Sequence, residues 1–149
     1  MRKINIINAE NPGRIDVSGA IGAKGMAMYV YDISPGGSSS PYHYEYEQEW
    51  LLVVDGSVVV REPEGEETLE RGDVVCFPPG PAGAHKVMNR GDSPARIVMF
   101  SSVRTPAVSV YPDSDKIGVW ADEEDAGLFF KRSAAVPWAE SEDGWENAG

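Results

Sequence analysis

The sequence predicts an all-β fold, a sandwich or barrel of short strands, and three observations predict it. The apolar stretches are short and rich in β-branched residues. Turn signals made of Gly, Pro, Asp and Asn interrupt them at regular spacing. No stretch between residues 25 and 110 carries a sustained helical stripe.

The elements follow in chain order. Met26 to Ile33 reads as a strand ended by Ser34-Pro35-Gly36-Gly37. Trp50 to Val54 and Ser57 to Arg61 flank Asp55-Gly56, a strong signal for a two-residue hairpin. Glu64-Gly65 marks the next turn, before Glu67 to Glu70. Arg71-Gly72-Asp73 then turns into Val74 to Phe77. Pro78 to Gly83 is a proline-glycine loop. Ala84 to Asn89 and Ala95 to Ser102 are two more strands, separated by Arg90-Gly91-Asp92. From about Thr105 the chain reads as irregular, with tryptophans at 120, 138 and 145 expected to fold this tail back onto the body. A helical turn is expected only there, at Ala121 to Ala126 or Ser133 to Ala139, and the acidic stretch from Ser141 reads as loose.

The 149 residues fit a single domain, 1–149, with a core over about 25–110 and an extension over about 111–149. No apolar run approaches the roughly 20 residues needed to span a bilayer. The start, MRKINIINAE, has no apolar signal region, so a cytoplasmic location is expected. The one cysteine, Cys76, agrees with a reducing compartment and reads as a small buried hydrophobe. Net charge is −11, and residues 43–73 hold ten acids against two bases. With no basic stripe, nucleic acid is not an expected partner. Most of the acid excess serves solubility.

Chemistry concentrates around two histidines, His43 and His85. Neutral imidazole is the commonest side-chain metal ligand. Alternate residues of a strand share a face, so His43 and Glu45 are expected to aim inward together, with Tyr44 pointing away. Glu49 opens the next strand, and His85 arrives from a distant one. Glu47 reads as a solvated turn residue able to replace a ligand. Gly37, Gly56 and Gly72 read as turn residues with positive φ, and Asn89 as a bridge between backbone groups. Tyr42, Tyr44 and Tyr46 either line the site or simply pack.

Two runs carry a resemblance. Gly37, His43, Glu49 and Gly56 match the spacing of one motif, and Gly72, Pro78, Gly80, His85 and Asn89 match a second. Together they resemble the paired motifs of the cupin superfamily across residues 37–89. There are two departures. Glu45 stands where the family has the second histidine of His-x-His, and four residues rather than two separate Gly80 from His85. A loop absorbs the extra residues.

The resemblance implies a double-stranded β-helix, the cupin jelly-roll barrel, with a short irregular C-terminal extension. It implies one divalent metal held by His43, Glu45, Glu49 and His85. This oxygen-rich set favours Mn or Fe, with Zn, Ni and Co still open. If Glu45 is not a ligand, it is placed to act as a general base. The expected function is that of a small-molecule metalloenzyme, dioxygenase-like or isomerase-like, acting on a small oxygenated substrate. The alternative is a non-catalytic module that binds or senses a metabolite. A homodimer is expected. Phosphate recognition would lean on few cations: Arg61, Arg71 and Lys86, with Lys116, Lys131 and Arg132 folding over the mouth.

Overall fold

The computed structural model describes residues 1–10, 13–122 and 126–141, and it is mostly strand. Strand β1 (Arg14–Asp16) is followed by a one-turn helix, α1 (Val17–Ile21), and then by β2 (Met26–Ile33). Next come β3 (Tyr44–Glu45), β4 (Glu49–Asp55), β5 (Ser57–Glu62), β6 (Gly65–Glu70) and β7 (Val74–Phe77). The chain continues through β8 (Lys86–Met88), β9 (Ala95–Ser102), β10 (Ala107–Tyr111), β11 (Lys116–Trp120) and β12 (Leu128–Lys131). They form three sheets, ordered β1-β2-β9-β4-β7, β12-β11-β10-β3 and β6-β5-β8. The named pairings within them are antiparallel.

The core shows why these strands face each other. Leu51 and Val53 on β4, Ile97 on β9, Val58 and Val60 on β5 and Val87 on β8 are each 2% exposed or less and belong to one cluster. Strand periodicity of two sends alternate residues of β4 inward. Their neighbours Leu52 and Val54 face the other side of the sheet. There Val17, Val30 and Val98 form a second apolar layer with Ile4, Ile6 and Ile21. Arg96 fastens the N-terminal segment over that layer. Its guanidinium pairs with Asp32 at 2.6 Å and donates to the carbonyls of Ile7 at 2.7 Å and Ala9 at 3.0 Å.

Four local expectations are corrected. Asp55-Gly56 does not close a hairpin: β4 pairs with β7 and β9, whereas β5 pairs with β6 and β8. The turn is a corner between sheets. A Cβ on Gly56 (φ +75°) would stand 3.2 Å from Ala95 and from the Pro94 carbonyl, so the corner is also tightly packed. The hairpin lies one turn later, where Glu62 pairs with Gly65. Second, a helix forms near the N-terminus, at α1. Asp16 caps it by accepting from the Gly19 N–H at 2.8 Å, and Gly22 ends it in the left-handed region. Third, the tail is only partly irregular, since it contributes three strands, β10 to β12. At the C-terminal end a 3₁₀ turn occupies Arg132–Ala134; part of Ala121 to Ala126 and the whole stretch after Ser141, Trp145 included, lie outside the described residues. Fourth, the positive φ falls on Gly36 rather than Gly37.

The tail reaches the motif region through β10, where Ser109 pairs with Glu45 and Val110 with Tyr44. No helix among the described residues is long and apolar enough to cross a membrane.

Candidate metal centre

His43 and His85 face each other directly. They form an isolated antiparallel bridge, with the His43 N–H donating to the His85 carbonyl at 3.1 Å and the reverse bond at 2.8 Å. The proline-glycine loop aims this pairing. Gly83 approaches so closely that a Cβ there would fall 1.8 Å from the Pro78 carbonyl oxygen, and Gly80 takes φ +83°. The four residues between Gly80 and His85 contain a 3₁₀ turn, Pro81–Gly83, and this is how the loop accommodates its extra length.

Both imidazoles are held by their Nδ1 atoms. His85 Nδ1 lies 2.9 Å from the Gly83 carbonyl, and His43 Nδ1 lies 3.0 Å from that of Pro41. A carbonyl only accepts, so Nδ1 carries the proton and Nε2 keeps a lone pair. The ring of Phe77 stacks on His85 at 3.7 Å, and Tyr111 lies along His43 at 5.8 Å. Burial holds the His85 imidazole down at about 4, against the bond to Gly83, with His43 lowering it further. It is neutral at pH 7.

Glu49 completes the cluster from the start of β4. Its Oε2 lies 3.8 Å from His43 Nε2 and 3.7 Å from His85 Nε2. Burial, and then the charge of Glu45, push its carboxyl up to about 8. The three donor atoms lie within 4.8 Å of one another and could hold a metal ion. His85 Nε2 is buried with no hydrogen-bond partner. An unpaired buried polar atom costs roughly 1–3 kcal/mol. A cation among three lone-pair donors would remove that cost, so the residues fit a divalent ion.

Glu45 lies outside that group of three. Its Oε1 is 4.0 Å from His43 Nε2 and accepts the Ser109 hydroxyl at 2.7 Å. Glu47 is not a solvated turn residue, because its side chain is 16% exposed. It accepts from Ser102 Oγ at 3.1 Å and pairs with Arg104 at 3.5 Å.

A cavity of about 270 Å³ opens beside the cluster, lined in part by Tyr29, Tyr31, Glu45, Glu47, Glu49 and Arg104. Its tyrosines come from β2. Tyr42 and Tyr44 instead pack with Ala84 and Val110, and Tyr46 is exposed. Period-two spacing of Tyr29 and Tyr31 was the available signal for them. Burial raises the Tyr31 phenol, with Arg14 opposing. Arg104 is the cation on this wall. Arg61 is bound to Asp113 at 2.6 Å, and Lys131 donates to the Ser114 carbonyl at 2.7 Å. Burial raises the Tyr111 phenol; a hydrogen bond with Ser109 opposes this, while Glu45 and Glu49 add to it. Asn89 bridges backbone as expected, donating to the Ile33 and Ser93 carbonyls at 2.7 and 2.8 Å. Cys76 is half-buried and free rather than fully enclosed.

Residues 29–101 match the family model of the cupin domain. The chain contains a cupin domain. A sugar phosphate isomerase of the cupin superfamily from Silicibacter pomeroyi superposes on the chain with a TM-score of 0.74 at 27% identity. That superposition covers 86% of this chain and 82% of the isomerase. The tetracenomycin polyketide synthase protein TcmJ of Streptomyces glaucescens is 30% identical over 87 residues, 58% of this chain. The match spans 57% of TcmJ. The polyketide cyclase RemF from Streptomyces resistomycificus shares the fold, with a TM-score of 0.59 at 19% identity over 72% of this chain and 83% of RemF.

Proposed function

We propose that this protein is a divalent-metal enzyme that moves a proton next to a carbonyl of a small oxygenated substrate. The observation that carries the reading is the unpartnered, buried Nε2 of His85, aimed at Glu49 and His43 beside a cavity. His43, Glu49 and His85 would hold the ion. Bound there, it would supply Lewis acidity to a substrate carbonyl.

The remaining chemistry falls to the chain's own side chains. Glu45 faces the same cavity and is placed to take a proton as general base. Tyr31, kept protonated by burial, can donate to a substrate oxygen. Sugar isomerisation begins by removing a proton α to a carbonyl, which agrees with the name of one relative, and a second relative is named as a polyketide synthase protein. Between those two substrate types, three glutamates against Arg104 on the wall favour a neutral or chelating substrate.

The test is metal analysis of the purified protein followed by solvent deuterium uptake at α-carbons of hydroxyketones, 1,3-diketones and sugar phosphates. Exchange that needs the metal and disappears in Glu45→Gln supports the reading. No bound metal under any loading overturns it. Ligand-dependent thermal stabilisation without exchange would point to a binding module.

We further propose that residues 1–149 act as one domain. Support comes from the pairing of β3 with β10, which ties the tail to the motif region. A cytoplasmic homodimer fits the free thiol of Cys76 and the apolar strand β12. There Leu128, Phe129 and Phe130 are 60%, 51% and 53% exposed. Sedimentation at micromolar concentration giving a monomer would reject the dimer.

A further inference from the structure

Two residues beyond the family-matched stretch, both on β10, reach Glu45 and His43. Ser109 is 2% exposed and sits opposite Glu45 in the strand register. Its hydroxyl donates to Glu45 Oε1 at 2.7 Å. Tyr111, two residues on, shares that face of the strand and lies along the His43 ring, with 20° between the planes. The turn that follows is tied to the rest of the fold. Arg61 grips Asp113 with two bonds, at 2.6 and 3.0 Å, and its guanidinium lies 4.0 Å over the Tyr42 ring.

The contact with Ser109 bears on what Glu45 does. A serine hydroxyl offers one proton and two lone pairs; Ser109 donates to the carboxylate oxygen nearest His43 and is also hydrogen-bonded with Tyr111. A carboxylate on a two-residue strand, with 28% of its side chain exposed, would otherwise sample several rotamers. The paired backbones of β3 and β10 hold donor and acceptor in register.

We propose that Ser109 is a positioning residue: its hydroxyl holds the Glu45 carboxylate beside the three-donor cluster, so that Glu45 faces the cavity as a base instead of joining the ion as a fourth ligand. This rests on the metal-site reading above. It assigns a task to the C-terminal strands, because the residue that sets the role of Glu45 lies outside residues 29–101.

Co(II) alone is the probe, added to metal-free native protein and followed by its visible absorption and by titration. Glu49→Gln is expected to weaken Co(II) by about 100-fold or more, whereas Glu45→Gln changes affinity by less than about threefold and leaves the spectrum alone. Ser109→Ala removes one oxygen atom and releases Glu45, so the spectrum shifts and the affinity tightens. Ser109→Thr keeps a hydroxyl and retains the native spectrum, and Ser109→Ala combined with Glu45→Gln restores it. Two results overturn the proposal while leaving the metal site standing. One is Glu45→Gln weakening Co(II) as much as Glu49→Gln; the other is Ser109→Ala giving the native spectrum. Failure of the native protein to bind Co(II) or any other divalent ion overturns the metal-site reading and this proposal together.

Discussion

On the floor of the site, beside the cavity, His43 and His85 sit on backbone hydrogen-bonded to itself, and each ring is held by a carbonyl and flanked by an aromatic side chain. On the wall, Arg104 is 78% exposed and meets Glu47 at 3.5 Å, and Glu45 depends on one hydroxyl from a distant strand. The difference separates two tasks. Ligand atoms gain from rigidity, because each must point at one place with its lone pair free. Groups that meet a substrate can be few and held through partners, and such positions change without disturbing the floor.

The largest expected effect breaks the floor. His85→Ala removes the buried donor and should abolish stoichiometric metal binding, with affinity falling about 100-fold or more by calorimetric titration. The metal-dependent rise in melting temperature should vanish with it.

A second, intermediate effect is pH dependence of the metal-free protein. Glu49 has its folded value raised from 4.5 to about 8. Its contribution to stability is therefore complete below 4.5 and lost as pH rises through 8. His85 is lowered from 6.5 to about 4, so its contribution is complete above 6.5 and lost as pH falls through 4. Thermal melts of native protein and Glu49→Gln between pH 5 and 9 should diverge, the variant losing less as pH rises. Parallel curves would mean that Glu49 is not desolvated.

The smallest effect sharpens the comparison from the wall. Arg104→Ala should leave metal affinity within about twofold, because an exposed pair contributes little to the ligands. It should weaken anionic competitors such as inorganic phosphate and leave neutral diketones unchanged. A loss of metal affinity matching that of His85→Ala would erase the distinction between floor and wall.

Much of the floor was legible in the chain. His43, Glu49 and His85 lie at motif spacing, and the proline-glycine run between Pro78 and Gly83 announces a shaped loop. Most of the strands that carry them were legible too, through β-branched runs and turn residues. The wall was less so. Tyr42, Tyr44 and Tyr46 drew attention because they neighbour His43, yet Tyr42 and Tyr44 went to packing while Tyr29 and Tyr31 took the cavity. Neighbours in sequence on a strand point to opposite faces, and neighbours in space come from strands far apart in the chain. Ser109 shows the same limit, since nothing in a lone serine 64 residues from Glu45 signals their contact.

By itself, then, the sequence determined the β character and the family motifs, because each rests on local patterning and spacing, and it singled out His43, Glu45, Glu49 and His85, of which the structure leaves Glu45 outside the group of three. Tertiary structure alone decided that Asp55-Gly56 turns between sheets, that the tail from Ala107 supplies strands, and that Ser109 meets Glu45. Those outcomes depend on which strands pair. Pairing is set by the fit of apolar faces across the whole chain, which no short stretch of sequence contains.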